Sequence, residues 1–253
     1  MKTLKSVARW ALGYERRQQF RRVAAQCRQL GLARYCPCCR SYLRTFTPFG
    51  LVPRPEARCP ICGALERHRL MHLYMTRKTD LFNGHPKKML HVAPEPELSR
   101  WFRNAANIEY VSVDLFDPRA MVRMDICDLQ YRDDTFDVIY CSHVLEHVPD
   151  DTRAMREFWR VLKVGGWAIL QVPITSDTTF EDPSVTSPEE RERLFGQNDH
   201  VRRYGPDYRD RLVDAGFAVK VDGFVRELDE RTVSRYGLMR SEDVYFCRKV
   251  LNP

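Results

Sequence analysis

Two cysteine pairs have the spacing of a metal site. Cys36 and Cys39 stand three positions apart, as do Cys59 and Cys62, with 19 residues between the pairs. In this pattern two short loops each supply two thiolates to a tetrahedral ion. We therefore expect a structural zinc site, because four thiolates leave no open position, with iron as the alternative ion. Cys38 could replace Cys39, but only Cys39 repeats the spacing of the second pair.

Three aspartates stand where apolar runs meet loops. Asp114 follows His91 by 23 residues, close to the spacing at which a carboxylate accepts hydrogen bonds from nucleotide ribose hydroxyls. Asp125 precedes Ile126, so its carboxylate could accept from an exocyclic amine while the next backbone N–H meets a ring nitrogen. Asp137 begins the next run. Ligands bind beyond the carboxyl ends of parallel strands, so this ordered series predicts a nucleotide-like ligand.

Histidines are the candidates for proton transfer, because an imidazole titrates near neutral pH. The candidate bases are His143, His147 and His200. His143, Glu146 and His147 share one face if their segment is helical. In the simplest interpretation, Glu146 and His147 cap and pack such a helix.

The elements that must position these residues follow an alternating pattern. From Lys88 onward, short apolar runs alternate with helical segments, which is typical of an α/β domain with a parallel sheet. The expected strands are 89–93, 110–114, 136–141, 167–172, 218–221 and 244–249. The expected helices are 64–79, 97–104, 151–162 and 206–215, with Gly165 and Gly166 ending the third and Gly216 the fourth.

A long insertion follows the fourth strand. Residues 176–204 exceed an ordinary connection, and loops of this length near a site are commonly lids or substrate walls. We expect Asp199, His200, Arg202 and Tyr204 to lie beside a substrate. A solvated surface loop is the alternative.

The N-terminal third differs in charge from the rest. Residues 1–86 contain 17 lysines and arginines against four acids, a net charge of +13, whereas 87–253 contain 24 against 30, a net charge of −6. Apolar residues recur at helical spacing between Lys2 and Leu30, and Gly31 is the expected end. This basic helix either packs on the protein with a solvated face or contacts RNA, DNA or anionic lipid. A mitochondrial transit peptide is a third interpretation.

Composition restricts the class of protein. Of the 253 residues, 43% are apolar and 30% charged, so a packed core is expected and global disorder is not. No run approaches the roughly 18 apolar residues of a membrane span, and the N-terminus lacks the uninterrupted apolar stretch of a secretory signal. We expect a cytoplasmic protein with no membrane span.

Several motifs together resemble the class I S-adenosylmethionine-dependent methyltransferases of the type 11 kind. They are DTFDVIYCSHVLEHVPD at 134–150, RVLKVGG at 160–166 and LQVP at 170–173. The likeness covers roughly residues 88–250. It implies a Rossmann-like α/β fold whose seven-stranded, mostly parallel sheet has one antiparallel strand. In this chain a helix and a small zinc-binding module would precede that fold.

The resemblance assigns Asp114 to the ribose, Asp125 and Ile126 to adenine, and the strand ending at Ser142 to the floor beside the transferred methyl. One motif departs from the family, whose acid followed by Gly-x-Gly-x-Gly is replaced here by HVAPEPE at 91–97. We expect Glu95 to replace the missing acid in pairing with the methionine ammonium. The expected cofactor-binding set is His91, Ala93, Glu95, Asp114, Leu115, Asp125, Ile126, Cys141 and Ser142.

The resemblance implies transfer of a methyl group from S-adenosylmethionine to an O, N or S atom of a small-molecule or sugar-like acceptor. The expected catalytic residues are His200, His143 and Tyr204. An RNA base is the alternative acceptor, with the basic N-terminal module gripping phosphate. A scaffold that has lost cofactor affinity is the non-enzymatic alternative. Some related enzymes hold a divalent metal with a similar Glu-His element, so a second ion at His143, Glu146 and His147 is an open alternative.

Three parts are expected along the chain. Residues 1–34 form the basic helical segment, 35–86 the zinc module with its connecting helix, and 87–253 the methyltransferase domain. The boundary is placed where Asn83, Gly84 and Pro86 break the helical pattern.

Overall fold

The computed structural model describes residues 29–50 and 52–250. They belong to two compact units: a smaller one up to Leu73 together with Leu228–Arg240, and a larger one of Tyr74–Glu227 and the chain from Ser241. The expected basic helix lies almost wholly outside the described residues, and from Leu30 the chain is already a strand. Among the described residues, no helix combines the length and apolar character needed to cross a membrane.

The smaller unit contains two antiparallel strand pairs, the first part of one helix and the whole of a second, short helix. The strands are β1 (Leu30–Cys36), β2 (Ser41–Leu43), β3 (Thr47–Phe49) and β4 (Arg54–Arg58), and β1 pairs with β2 as β3 does with β4. Helix α1 (Glu66–Lys78) begins in this unit and ends in the larger one, which confirms the expected helix at 64–79.

A buried arginine explains why residues 228–240 return to the smaller unit. Arg69 is fully buried and donates hydrogen bonds to the carbonyl oxygens of Ala57 at 2.9 Å and Ala64 at 2.8 Å. It also donates to the carbonyls of Tyr236 at 2.6 Å and Gly237 at 2.8 Å. Burying a guanidinium is costly unless its donors are satisfied, so Arg69 fixes the distant segment against the first one.

The larger unit is built on one sheet. Its strands are β5 (Lys87–Val92), β6 (Ile108–Asp114), β7 (Val122–Arg123), β8 (Phe136–Ser142), β9 (Leu162–Gln171), β12 (Ala218–Asp222) and β13 (Val244–Arg248). The sheet order is β12-β13-β9-β8-β5-β6-β7. In this sheet β13 runs antiparallel to the other six strands. The expected seven-stranded, mostly parallel sheet with one antiparallel strand is confirmed.

Helices and a short ribbon complete the larger unit. The helices are α2 (Pro96–Arg103), α3 (Asp151–Val161), α4 (Pro188–Phe195) and α5 (Tyr208–Asp214), and the ribbon pairs β10 (Phe180–Glu181) with β11 (Arg202–Arg203). The last helix of the chain, α6 (Glu230–Tyr236), belongs to the smaller unit. The aspartate side chain of Asp150 accepts from the Arg153 amide and caps α3. The buried face of α3, including Met155 and Phe158, joins the core formed by β8 and β9. Each such side chain contributes roughly 1.5–3 kcal/mol of burial free energy.

Two sequence-based expectations differ from the structure. Gly165 and Gly166 do not end a helix, because α3 already ends at Val161 and both glycines lie inside β9. A Cβ atom on Gly166 would come within 2.9 Å of the Asp137 carbonyl oxygen, so the close approach of β8 requires glycine there. The boundary expected at residue 86 falls inside the larger unit, where Asp80 accepts hydrogen bonds from Lys87 and Trp167.

The insertion at 176–204 is anchored by a second buried arginine. Arg202 on β11 is 2% exposed and donates to the carbonyl oxygens of Leu145 at 2.7 Å and Pro149 at 2.8 Å, and also to that of Val148. Its Nε donates to Glu181 on the paired strand at 2.8 Å. The insertion is therefore an ordered wall fixed to the turn after β8.

Replacing this arginine should destabilise the larger unit. In Arg202→Met the side chain keeps its length, but three carbonyls and the Glu181 carboxylate lose a buried donor. We expect the free energy of unfolding in urea to fall by about 3–5 kcal/mol. The control is Arg209→Met, whose side chain is 51% exposed, with an expected loss below about 0.5 kcal/mol. Equal losses in the two variants would contradict the anchoring role of Arg202.

Candidate functional site

Three neighbouring parallel strands end together at one edge of the sheet. Val92 of β5 pairs with Val113 of β6 and with Cys141 of β8. The residues that directly follow these three positions therefore lie side by side: Ala93, Asp114 and Ser142. The register thus brings three members of the expected cofactor-binding set to the edge where open parallel sheets bind ligands.

The turn after β5 keeps its shape without glycine. Ala93 has a φ of 47°, the left-handed conformation that glycine adopts most easily, and its amide donates to the Val113 carbonyl at 2.9 Å. Pro94 and Pro96 restrict the backbone on either side. Glu95 is the residue before α2 and accepts a hydrogen bond from the Tyr140 hydroxyl at 3.3 Å. The turn therefore presents a carboxylate beside the positive end of a helix.

Asp114 is held by its own loop. Its Oδ1 accepts from the backbone amides of Phe116 and Asp117, each at 2.7 Å, while Oδ2 accepts no hydrogen bond from the described residues. Leu115 beside it is 38% exposed. A carboxylate with one oxygen fixed and the other open is oriented to accept hydrogen bonds from a ligand.

Asp125 and Ile126 lie next to β6. The Met124 amide donates to the Asp114 carbonyl at 3.0 Å, which places the segment beside the end of that strand. Asp125 is exposed and its Oδ1 accepts from the Cys127 amide at 2.8 Å, while Ile126 is 6% exposed. Their contacts to adenine stay a prediction.

Cys141, Ser142 and His91 are also buried. Cys141 is fully buried, and burial raises the pKa of its thiol well above the usual value, so the thiol stays protonated. Ser142 is 6% exposed. His91 is fully buried, and its Nδ1 lies 2.9 Å from the Tyr110 hydroxyl. Its cofactor contact stays a prediction, and its packing indicates support of the turn from within the core.

Asp137 lies at the opposite end of the sheet from the other two aspartates. Its carboxylate accepts from the Lys88 amide at 2.8 Å and from the Lys163 ammonium at 2.9 Å. Because Asp137 begins β8 rather than ending it, the side chain joins the amino ends of strands. It is a structural residue.

Four polar side chains gather beyond β8. His143 has a φ of 55°, and its Nδ1 lies 3.4 Å from Glu146 Oε1. Glu146, His147 and His200 each bring one metal-ligating atom within 4.8 Å of the others. His200 is 6% exposed, and its pKa is lowered, chiefly by burial and then by His147. A neutral imidazole is therefore favoured at His200 near pH 7.

Tyr204 does not support the catalytic role expected for it. The ring is fully buried and its hydroxyl donates to the carboxylate of Asp151. Burial, followed by the Asp151 charge, raises the pKa of this phenol far above its usual range. Tyr204 and Arg202 both help to hold the insertion in place. His200, by contrast, lies beside Glu146 and His147. A carboxylate oxygen of Asp199 lies 3.2 Å from His147 Nδ1.

The four expected metal-ligating cysteines come together in the smaller unit. The Sγ atoms of Cys36 and Cys62 lie 3.7 Å apart, and those of Cys39 and Cys59 lie 3.8 Å apart. All four ligand atoms lie within 4.8 Å of one another. Cys38 is outside this group, so the i, i+3 pairing is the one that the fold assembles.

Sequence reasoning missed the buried Asp151. Its side chain is 2% exposed, accepts from Tyr204 and Arg211, and lies 3.7 Å from Arg202. The only signal was its position in the first turn of the expected helix 151–162, where an acid is ordinary. Its partners lie more than fifty positions away, so spacing could not reveal them.

Comparison with known proteins points to one kind of domain. The family described as "Methyltransferase domain" matches residues 79–170. A curated relative, 2-methyl-6-phytyl-1,4-hydroquinone methyltransferase 1 of rice (Oryza sativa subsp. japonica), is 33% identical over 96 residues. That alignment covers 34% of this chain and 29% of the relative, so it spans less than a third of the relative's length.

Solved structures include similar folds. A putative sarcosine dimethylglycine methyltransferase from Galdieria sulphuraria has a TM-score of 0.48 at 14% identity and covers 73% of this chain and 87% of its own. An S-adenosylmethionine-dependent methyltransferase from Mesorhizobium loti has a TM-score of 0.47 at 15% identity and covers 65% of this chain and 91% of its own. Residues 79–170 of this chain are therefore similar to a methyltransferase domain.

Proposed function

We propose that this protein transfers a methyl group from S-adenosylmethionine to an O, N or S atom of a small-molecule or sugar-like acceptor. The observation that carries the proposal is the convergence of Ala93, Asp114 and Ser142 at one edge of the sheet. The match of residues 79–170 to a methyltransferase domain supports it independently.

The residues at this edge fit the chemical groups of the cofactor. Asp114 offers Oδ2 to the ribose hydroxyls, Ile126 an apolar surface and an amide to the adenine, and Glu95 a carboxylate to the methionine ammonium. The left-handed Ala93 keeps the backbone of the turn in the form that lets a ligand approach closely. When bound, S-adenosylmethionine supplies an electrophilic methyl group on a sulfonium.

On the acceptor side, the protein has to align a nucleophile and remove its proton. His143 directly follows Ser142 and its side chain is 29% exposed. Glu146 lies beside its Nδ1 and can orient the ring, so that Nε2 is the nitrogen that would accept the proton. We assign His143 as the general base. We assign His200, in the insertion 176–204, to the surface that would line the acceptor.

The cysteine cluster fits a structural zinc ion. Four sulfurs bound at about 2.3 Å to a tetrahedral ion lie about 3.8 Å apart, which agrees with the separations of 3.7 and 3.8 Å found here. Such a site would stabilise the smaller unit and would take no part in the reaction. Iron satisfies the same thiolate set, and elemental analysis distinguishes the two metals.

A second candidate acceptor is RNA. It is favoured by the net charge of +13 in residues 1–86, which suits a phosphate backbone. Incubation with radiolabelled cofactor and a cell extract separated into RNA, protein and metabolite fractions tests both. We expect label in the metabolite fraction. Label retained by RNA, with binding that weakens steeply with salt, would replace the small-molecule proposal.

Asp114→Asn should weaken cofactor binding. Asparagine keeps an oxygen for the loop amides but loses the charge and one acceptor. Hydrogen bonds to charged groups contribute about 1.5–3 kcal/mol, so we expect roughly tenfold to hundredfold weaker binding of S-adenosylhomocysteine in calorimetry.

The matched control is Asp117→Asn, because Asp117 pairs with Arg119 on the same loop and should leave affinity unchanged. Unaltered affinity in Asp114→Asn would refute its ribose role. If the wild-type chain gives no heat with millimolar S-adenosylhomocysteine, the scaffold alternative would stand.

Cys59→Ser should remove the metal and loosen the smaller unit, because metal-binding free energy is folding free energy in small sites. Elemental analysis is expected to show one metal equivalent fewer, and the chain should become sensitive to proteolysis before residue 74. Cys247→Ser, at a buried cysteine outside the cluster, is the control and should keep the metal. Full retention of metal by Cys59→Ser would exclude it as a ligand.

A further inference from the structure

We propose that Glu146, His147 and His200 bind a divalent first-row transition metal, separate from the cysteine site. The cluster lies in the larger unit, directly after β8. It combines two imidazoles with one carboxylate, a ligand set that suits zinc, iron or manganese and leaves coordination positions open. The proposal does not depend on methyl transfer, because it rests on these side chains alone.

The carboxylate is placed as a ligand rather than as a surface group. Glu146 is 1% exposed, and its Oε2 is buried with no hydrogen-bond partner among the described residues. A buried carboxylate oxygen without a partner costs several kcal/mol unless a cation or donor meets it. His143 lies only near the other oxygen, Oε1, at 3.4 Å. A metal ion at the cluster would satisfy Oε2.

The two imidazoles are oriented as metal ligands usually are. His147 Nδ1 lies 3.2 Å from the Asp199 carboxylate, and His200 Nδ1 lies 3.3 Å from the Phe195 carbonyl oxygen. Metal-binding histidines characteristically donate their second N–H to a carboxylate or a backbone carbonyl. In both rings this leaves Nε2 as the nitrogen for the metal. The ring centroids are 4.6 Å apart at 87°, so the rings do not stack face to face.

The backbone holds the three ligands in place. The Val201 amide donates to the Glu146 carbonyl at 2.9 Å, which joins the segment of His200 to the turn of His147. Arg202 then fixes the same turn through the carbonyls of Leu145 and Pro149. The ligand atoms lie within 4.8 Å of one another, whereas bonds of about 2.1 Å at tetrahedral angles require separations of about 3.4 Å, so metal binding would draw the three side chains closer together.

The structure also revises which histidine joins the cluster. His143, Glu146 and His147 share a sequence element, but His143 is not part of the group of mutually close ligand atoms. His200, from the far end of the insertion, takes that place. A metal here would therefore link the insertion to the turn after β8. Its open coordination positions could hold an anionic or hydroxyl oxygen.

Zinc binding to the full-length chain tests the proposal. Zinc is the probe because it binds N and O ligands more tightly than manganese or iron does. Wild type, His147→Ala, Glu146→Gln and His85→Ala are dialysed against micromolar zinc, and bound metal of every kind is counted by mass spectrometry. His85 is an exposed histidine outside the cluster and is the control. Circular dichroism confirms that each variant is folded.

We expect wild type and His85→Ala to bind one metal equivalent more than His147→Ala and Glu146→Gln. The result is the difference in bound metal between variants, so it does not depend on whether the cysteine cluster also holds an ion. S-adenosylhomocysteine binding is measured separately and tests the proposed function. If Glu146→Gln fails to fold, His147→Ala decides, because that side chain is 34% exposed. Equal metal content in folded His147→Ala and wild type would overturn the proposal.

Discussion

The parallel hydrogen bonding of β5 with β6 on one side and with β8 on the other is the constraint on which the site depends. Because the register is fixed by the buried faces of all three strands, the residues at their carboxyl ends must emerge at one edge. Ala93, Asp114 and Ser142 come from three separate sequence segments and meet only through this pairing. A slip of one residue on β5 would turn Val92 out of the core and misplace the turn before α2.

Each unit contains a buried arginine that holds separate segments of the chain together. Arg69 and Arg202 each donate to several backbone carbonyls that lie near the ends of elements or in the turns between them. A guanidinium with five donors in a fixed plane can satisfy several such carbonyls at once. In the larger unit this arrangement turns a long insertion into a fixed wall, and it keeps His200 beside Glu146 and His147.

The sequence was sufficient for the parts of the fold that periodicity controls. The strands expected at 89–93, 110–114 and 136–141 agree with β5, β6 and β8 to within one residue at their carboxyl ends, and the helix expected at 151–162 ends one residue earlier. The cysteine grouping followed from two local repeats. In each case the signal lies within a few consecutive residues, where local physics decides the outcome.

Long-range pairing explains what the sequence could not supply. Tyr204 and Arg202 were expected beside a substrate because polar and aromatic residues in an insertion suggest a binding wall. They are buried because Asp151 and Glu181, distant in sequence, pair with them. Asp137 was grouped with acids at strand ends, but an acid that begins a strand belongs to the other end of the sheet. The return of residues 228–240 to the smaller unit likewise depends on Arg69.

A crystal structure of the full chain with S-adenosylhomocysteine is the most direct test of where the cofactor binds. We predict ligand density across the carboxyl ends of β5, β6 and β8, with a ribose hydroxyl at hydrogen-bond distance from Asp114 Oδ2 and the sulfur facing Ser142. Ordered ligand at another surface, with Asp114 still contacting only Phe116 and Asp117, would contradict the assignment of the site.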